Sequence, residues 1–139
     1  SYHARVMVED VAERRADAVE WARWESALIS LHADPDTVSP EPRRADALAR
    51  METHYFINDG FVERDGLLLQ DTAHLAAIPG AIIQGRYDMV TPPKTAWLLH
   101  KAWPGSQLDF VHDAGHAAGE PGTVDGLVRV TDAFAKRLS

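Results

Sequence analysis

Cysteine is absent from this 139-residue sequence, and its absence excludes several kinds of chemistry. Without cysteine the chain can form no disulfide, offers no thiol nucleophile and cannot hold a metal through thiolate ligands. Long apolar runs are also missing, and none approaches the roughly 20 residues that a membrane-spanning helix needs. No signal-peptide pattern is visible, so we expect a cytoplasmic protein without a membrane partner.

Basic residues are scarce, since 14 Lys and Arg stand against 21 Asp and Glu, for a net charge of −7. This charge argues against nucleic acid or an anionic membrane surface as a partner. Hydrophobic residues make up 45% of the chain and charged residues 25%, which is typical of one globular domain with a modest core. The sequence begins with Ser1 and enters a helical pattern almost at once, so we expect a fragment or a processed chain.

Two short apolar runs in the second half of the chain are each followed by a polar residue suited to catalysis. Residues 80–84 precede Asp88, and residues 108–111 precede His116. Between the runs, residues 92–103 open with two prolines and then carry apolar residues at helical spacing. Strand, helix and strand in this order predict two parallel strands joined by a right-handed crossover.

Asp88 and His116 therefore both lie beyond the carboxyl ends of predicted strands, where reactive groups collect in open α/β sheets. An Asp and then a His after successive strands match the end of the order Ser, Asp, His in α/β-hydrolases. In that arrangement the imidazole is the general base, and the carboxylate orients it and stabilises its charged form. The alternative is structural, with Asp88 capping the following turn and His116 an ordinary loop residue.

Two predicted helices in the first half of the chain each carry a glutamate within an apolar, aromatic stripe. Glu25 lies in the helix predicted over residues 9–31, and Glu52 lies in the helix predicted over residues 45–57. The stripes consist of Trp21, Ala22, Leu28 and Ile29 in the first helix and of Leu48, Ala49, Tyr55 and Phe56 in the second. A buried carboxylate needs a partner, so each Glu either pairs with an arginine or reaches water at the edge of its stripe. Alternatively, the two carboxylates lie in one pocket and either share a proton or hold a cation such as a substrate ammonium.

The remaining segments are predicted to be structural. Residues 32–43 carry Pro35, Pro40 and Pro42 and are predicted to form a loop. Residues 120–138 are predicted to form a helix whose apolar face packs on the sheet. The histidines show no metal-ligand spacing, so no metal site is expected.

Taken together, these motifs resemble the proline iminopeptidases, prolyl aminopeptidases of the α/β-hydrolase fold. The matching segments cover nearly the whole chain in the right order. They are Trp21-Ala-Arg-Trp-Glu25, Ala49-Arg-Met-Glu52-Thr-His-Tyr-Phe56, Gly85-Arg-Tyr-Asp88, Ala96-Trp97, Ala102-Trp103-Pro104, Asp113-Ala-Gly-His116, Glu120-Pro121 and Thr131-Asp-Ala-Phe134.

The resemblance implies an α/β fold and a role for each candidate residue. It implies a helical cap segment over residues 1–66, followed over residues 67–139 by the last two parallel strands of the hydrolase with their flanking helices. Asp88 and His116 would be the triad acid and base, and Glu25 and Glu52 would bind the amino group of the substrate's N-terminal proline. A serine would attack the carbonyl of that proline, and water would then release free proline. No metal or organic cofactor is implied.

The sequence departs from the family in one decisive respect, because it contains no Gly-x-Ser-x-Gly and therefore no nucleophile. By the logic of the triad it cannot form an acyl-enzyme unaided. One interpretation is a portion of a serine aminopeptidase acting on peptides with N-terminal proline, completed by a chain that carries the missing N-terminal half. The alternative is a non-catalytic interaction or amine-binding module that pairs with a partner chain. A two-stranded sheet leaves both strands with an unpaired edge. We therefore expect the chain alone to be marginally stable, prone to aggregation or oligomeric.

Overall fold

The computed structural model describes residues 1–32 and 39–138. In chain order its elements are α1 (Tyr2–Val6), α2 (Val11–Ile29), α3 (Pro42–Ile57), α4 (Leu67–Gln70), β1 (Gly80–Gly85), α5 (Pro93–Ala102), β2 (Ser106–Val111) and α6 (Pro121–Leu138), with 3₁₀ turns at Asp59–Phe61 and Asp71–Leu75. Within the described ranges, no helix combines the length and apolarity needed to cross a bilayer.

The elements form two compact units. The first contains residues 1–27 and the described residues up to 65, and the second contains residues 28–32 and those from 66 onwards. The last two residues of α2 thus belong to the second unit. The assignment of residues 1–66 to a cap and of residues 67–139 to a catalytic domain remains a prediction.

The four longer helices lie within three residues of their predicted bounds. The largest difference is at α3, which begins at Pro42 inside the predicted loop. The Glu41 carboxylate accepts hydrogen bonds from the N–H groups of Arg43 and Arg44, at 2.9 and 2.8 Å, and so caps the helix. The loop prediction is therefore wrong from Pro42 onwards, and its part around Pro35 lies outside the described residues.

The first unit is built around a small cluster of buried residues, most of them alanines. Val6 of α1 packs with pairs of alanines from the other two helices, namely Ala18 and Ala22 of α2 and Ala45 and Ala49 of α3. Small side chains spaced one turn apart let helices approach closely. A salt bridge from Arg14 Nε to Asp46 Oδ1, at 3.0 Å, also joins α2 to α3.

The second unit contains the predicted parallel strand pair. β1 and β2 run in parallel, in register from Gly80 opposite Ser106 to Gly85 opposite Val111, with α5 as the crossover between them. α6 packs closely on β1 through Gly126, where a Cβ would lie 2.9 Å from Cγ2 of Ile83. The expectation that the apolar face of this helix packs on the sheet is wrong for Val124, Leu127 and Val128, which are exposed. The expectation of an α/β fold with two parallel strands and flanking helices is confirmed.

Gly85 ends β1 where the strand meets the backbone that precedes His116. A Cβ on Gly85 would lie 1.9 Å from the carbonyl oxygen of Gly115 and 2.8 Å from that of Ala114. The approach is held by backbone hydrogen bonds, including one from the Tyr87 N–H to the Ala114 carbonyl at 3.0 Å. Only glycine fits here without a backbone shift.

Gly85→Ala is accordingly expected to lower the free energy of unfolding by about 3 kcal/mol, because the new methyl group would meet backbone rather than mobile side chains. Denaturant unfolding of the variant and the parent measures this loss. Gly119→Ala is the matched control, since nothing lies within 4 Å of the Cβ position of Gly119. Losses of similar, small size in the two variants would contradict the close approach at Gly85.

Candidate active site

Asp88 and His116 lie side by side at the carboxyl end of the sheet. Asp88 follows β1 and His116 follows β2, and the Nδ1 of His116 donates a hydrogen bond to Oδ2 of Asp88 at 3.0 Å. The side chain of Asp88 is 5% exposed, whereas that of His116 is 38% exposed. The carboxylate is thus enclosed while the imidazole remains accessible. The structure brings together the two residues that the strand ends had indicated.

Hydrogen bonds hold the carboxylate of Asp88 at both oxygens. Oδ1 accepts from the N–H groups of Val90 and Thr91, at 3.0 and 2.8 Å. Oδ2 accepts from the Thr91 hydroxyl at 2.8 Å and from the Gln84 amide nitrogen at 3.1 Å, in addition to His116. Asp88 therefore caps the following turn through one oxygen and contacts the imidazole through the other. A capping role and an orienting role towards His116 are therefore geometrically compatible for Asp88.

Thr91 and Gln84 were not identified from the sequence. The available signal was the spacing Asp88-x-x-Thr91, because an aspartate often accepts N–H bonds from residues two and three positions later in a turn. Gln84 gave no such signal, since its contact depends on the turn that brings Asp88 back towards the end of β1.

Two opposing effects act on the pKa of Asp88. Burial raises this pKa, because it disfavours the charged form. Hydrogen bonds from the Thr91 N–H, the His116 imidazole and the Thr91 hydroxyl favour the charged form, and the balance lowers the pKa of Asp88 below its ordinary value. Asp88 is therefore an anion at neutral pH, as a residue that stabilises an imidazolium must be.

The lowered pKa of Asp88 predicts an acid-sensitive contribution to stability. Because the pKa is lower in the folded than in the unfolded chain, this contribution is present above about pH 4 and is lost as the pH falls through the folded pKa. Urea unfolding between about pH 3 and pH 6 is expected to show a steeper loss of stability at the acid end for the parent than for Asp88→Asn. Parallel curves for the two proteins would contradict the assignment.

A cavity of about 230 Å³ opens beside the pair, with Asp88, His116 and Thr91 in its lining and Ile83 and Leu127 providing apolar walls. A larger cavity of about 350 Å³ in the same unit lies at the amino ends of the strands, near Pro79 and Gly105. None of the predicted site residues lines that larger cavity. We therefore assign the larger cavity no part in the proposed chemistry. Among the described residues, no group of three His, Asp or Glu side chains could hold a metal ion.

In the first unit, Glu52 lies within a cluster of aromatic rings. The Trp21 indole N–H donates a hydrogen bond to Oε2 of Glu52 at 2.8 Å. The Trp21 ring lies 5.2 Å from that of Trp24, 5.4 Å from that of Tyr2 and 6.1 Å from that of Phe56, measured between centroids. The indole that holds Glu52 was not predicted as its partner, although Trp21 had been placed on the same stripe as Glu25.

The predicted apolar stripe of α3 is only partly buried. Tyr55 is 51% exposed and Phe56 is 65% exposed, so the apolar stripe predicted for α3 is not covered at these two residues. The buried residues of α3 are Ala45, Asp46, Ala49 and Thr53. Because α3 contacts the core through these small and polar residues, its large rings remain accessible beside Glu52.

Glu25 and Glu52 are both half-buried, neither enclosed nor fully exposed. Glu25 follows Trp21 by one turn on α2, and Trp21 bonds Glu52 on α3, so one aromatic residue is adjacent to both carboxylates. The glutamates lie in the first unit, and Asp88 and His116 lie in the second. The proposed binding role of the glutamates remains a prediction.

Comparison with known proteins gives the resemblance independent support. No protein-family model matches the chain. A proline iminopeptidase of Xanthomonas citri is 48% identical over 137 residues, which are 97% of this chain and 44% of that protein. The proline iminopeptidase of Neisseria gonorrhoeae is 38% identical over 138 residues, 99% of this chain and 44% of that protein. That of Arabidopsis thaliana is 40% identical over 130 residues, 92% of this chain and 34% of that protein.

The similarity extends along almost the whole of this chain, which spans less than half the length of these relatives. The resemblance inferred from the motifs is thereby confirmed, and the parallel strand pair agrees with it. We conclude that this chain is a homologue of a portion of the proline iminopeptidases of the α/β-hydrolase fold.

Proposed function

We propose that this chain forms part of a serine aminopeptidase that removes N-terminal proline from peptides. Asp88 and His116 would be the acid and base of the catalytic triad, and Glu25 and Glu52 would bind the terminal amino group. The observation that best supports the proposal is the hydrogen bond from His116 Nδ1 to Asp88 Oδ2, at 3.0 Å, at adjoining ends of parallel strands.

In the proposed reaction, a serine supplied by the rest of the protein attacks the carbonyl carbon of the terminal proline. Since Nδ1 of His116 donates to Asp88, Nε2 is the nitrogen that accepts the serine proton. His116 then gives that proton to the departing amine, and the C–N bond breaks to leave a prolyl ester on the serine. Water, deprotonated by His116, cleaves this ester and releases free proline.

The two glutamates suit a substrate whose terminal nitrogen is a secondary ammonium. Their carboxylates can accept hydrogen bonds from the N–H groups of that cation. Such charge-assisted hydrogen bonds are stronger than those between neutral groups. Trp21 fixes one oxygen of Glu52 through its indole N–H, which limits how the carboxylate can turn. The exposed rings of Phe56 and Trp24 provide apolar surface against which a pyrrolidine ring can pack.

The proposed partner is the serine-bearing portion of the enzyme. In the second unit, α6 carries the large apolar residues Val124, Leu127 and Val128, which are 44%, 42% and 53% exposed. β1 and β2 each pair only with the other in the described part of the chain, so each has an edge to which a further strand can add. These surfaces are where additional strands and helices of a larger sheet would pack.

Isolation of the protein from its source tests this proposal directly. We expect Gly-x-Ser-x-Gly either in a longer chain that contains this sequence or in a companion polypeptide, and we expect the isolated material to release proline from a peptide with N-terminal proline. A chimera offers a second test, with this chain in place of the matched 137 residues of the Xanthomonas citri relative. If neither preparation releases proline but both bind proline-like amines, the result would favour the alternative of a non-catalytic amine-binding module.

A further inference from the structure

Glu120 is a buried carboxylate that the proposed reaction does not use. It immediately precedes α6 in the second unit and is 7% exposed. Its Oε2 accepts a hydrogen bond from the Gly115 N–H at 2.5 Å. Its Oε1 accepts from the Leu31 N–H at 2.8 Å and from the Ser30 hydroxyl at 3.1 Å. One carboxylate thus joins two segments that are about ninety residues apart in sequence.

The segment held by Glu120 is the loop that carries His116. Gly115, whose N–H is bound, directly precedes His116. On the other side of His116, the Ala117 N–H donates to the Ile29 carbonyl at 2.6 Å. The backbone on both sides of the proposed base is therefore bound, directly or through Glu120, to residues 29–31.

The side chain of Glu120 is not needed to begin α6. The main-chain carbonyl of Glu120 accepts the Val124 N–H at 2.9 Å, which is the first intrahelical bond. The carboxylate instead bonds to the His116 loop and to the residues that follow α2. Packing there is tight, because a Cβ on Gly115 would lie 3.0 Å from the Leu31 nitrogen.

We propose that Glu120 is a positioning residue, whose carboxylate fixes the Gly115–His116 peptide and thereby holds the imidazole in line with Asp88. The catalytic meaning of this inference rests on the proposed function. A carboxylate suits the task because both of its oxygens accept, while three donors converge on it. A glutamine would turn its amide N–H groups towards at least one of these donors and lose that bond.

Glu120→Gln in the intact, serine-bearing protein tests the proposal. We expect kcat for proline release to fall about 10- to 100-fold through misplacement of the base, with KM changed less than about threefold. Glu63→Gln is the matched control, because it removes the same charge at an exposed site, and its kinetics are expected to equal those of the parent. A merely structural role predicts a lower melting temperature with unchanged kcat per folded molecule, and that result would overturn the proposal.

The ¹⁵N signals of labelled histidine provide a readout that does not depend on turnover. In Glu120→Gln the His116 Nδ1 signal is expected to shift or broaden under conditions where the protein is folded, and in Glu63→Gln it should stay in place. If Glu120→Gln does not fold, Ser30→Ala is measured instead. It removes one of the three bonds and should move the same signal by a smaller amount. An unchanged signal in the folded variant would overturn the inference.

The two readouts also separate this inference from the proposed function. A parent protein that releases no proline would overturn the proposed activity. A His116 signal that still responds to Glu120→Gln in that protein would support the positioning role of the carboxylate. Turnover that survives Glu120→Gln unchanged, in a parent that releases proline, would refute the positioning role alone.

Discussion

Replacing His116 with alanine is expected to lower proline release about 10⁴-fold or more in the protein that contains both this chain and the nucleophilic serine. The imidazole is the group that takes the serine proton and returns it to the leaving amine, so its loss removes both proton transfers. Steady-state kinetics with a peptide of N-terminal proline measures the loss. His112→Ala is the matched control, since His112 is exposed and lies in the same loop.

Asp88→Asn tests the proposed triad acid by the same kinetic measurement of proline release. An amide at this position would present an N–H to the Nδ1–H of His116 or to the donors from Val90 and Thr91, so either the imidazole or the turn loses its partner. We expect a loss of about 10⁴-fold, close to that of His116→Ala, because residues that act as a unit are not additive. Turnover of His116→Ala within tenfold of the parent would show that another group is the base.

The four longer helices and the two strands could be predicted to within a few residues because they follow hydrophobic periodicity and turn chemistry. The strands are short apolar runs, and the two prolines before α5 indicate a helix start. The start of α3 could not be predicted in this way. Glutamate is not among the favoured capping residues, and the nearby prolines indicated a loop, although Glu41 caps the helix and Pro42 occupies its first turn.

Which side of a helix is buried was less predictable than the helix itself. Tyr55 and Phe56 are apolar and correctly spaced, yet they are exposed, because α3 contacts its neighbours through Ala45 and Ala49 instead. Periodicity identifies an apolar stripe, but the packing of other helices decides how much of it is covered. In this protein the uncovered part lies beside Glu52, where the proposed function places the substrate.

The pairing of Asp88 with His116 could be predicted because the carboxyl ends of adjacent parallel strands meet at one edge of a sheet. The residues that hold this pair in place could not be predicted. Glu120 contacts Leu31, and no local pattern relates residues so distant in sequence. Thr91 depends on the shape of the turn after β1. Sequence therefore indicated the reacting groups, and the structure supplied the groups that hold them.

Glu25→Gln and Glu52→Gln are each expected to lower kcat/KM about 10- to 100-fold for substrates with a free N-terminal proline. A hydrogen bond to a charged group contributes about 1.5–3 kcal/mol, and each 1.4 kcal/mol corresponds to a tenfold change. An N-blocked proline ester carries no ammonium, so its kcat/KM should change less than about threefold, since it makes no such bond. The measurement compares the two substrates on each variant, with Glu63→Gln as the control for removal of an exposed charge.

The ratio of the two losses separates a binding role from a structural one. If the glutamates only hold α2 and α3 in place, the free and the blocked substrate must lose activity equally, because both need the same folded enzyme. Trp21→Phe refines the test, since it keeps an aromatic ring but removes the N–H that fixes Glu52, and its loss should again be confined to the free amine. His116→Ala, in contrast, should lower turnover of both substrates alike, because every acyl transfer passes through the same base.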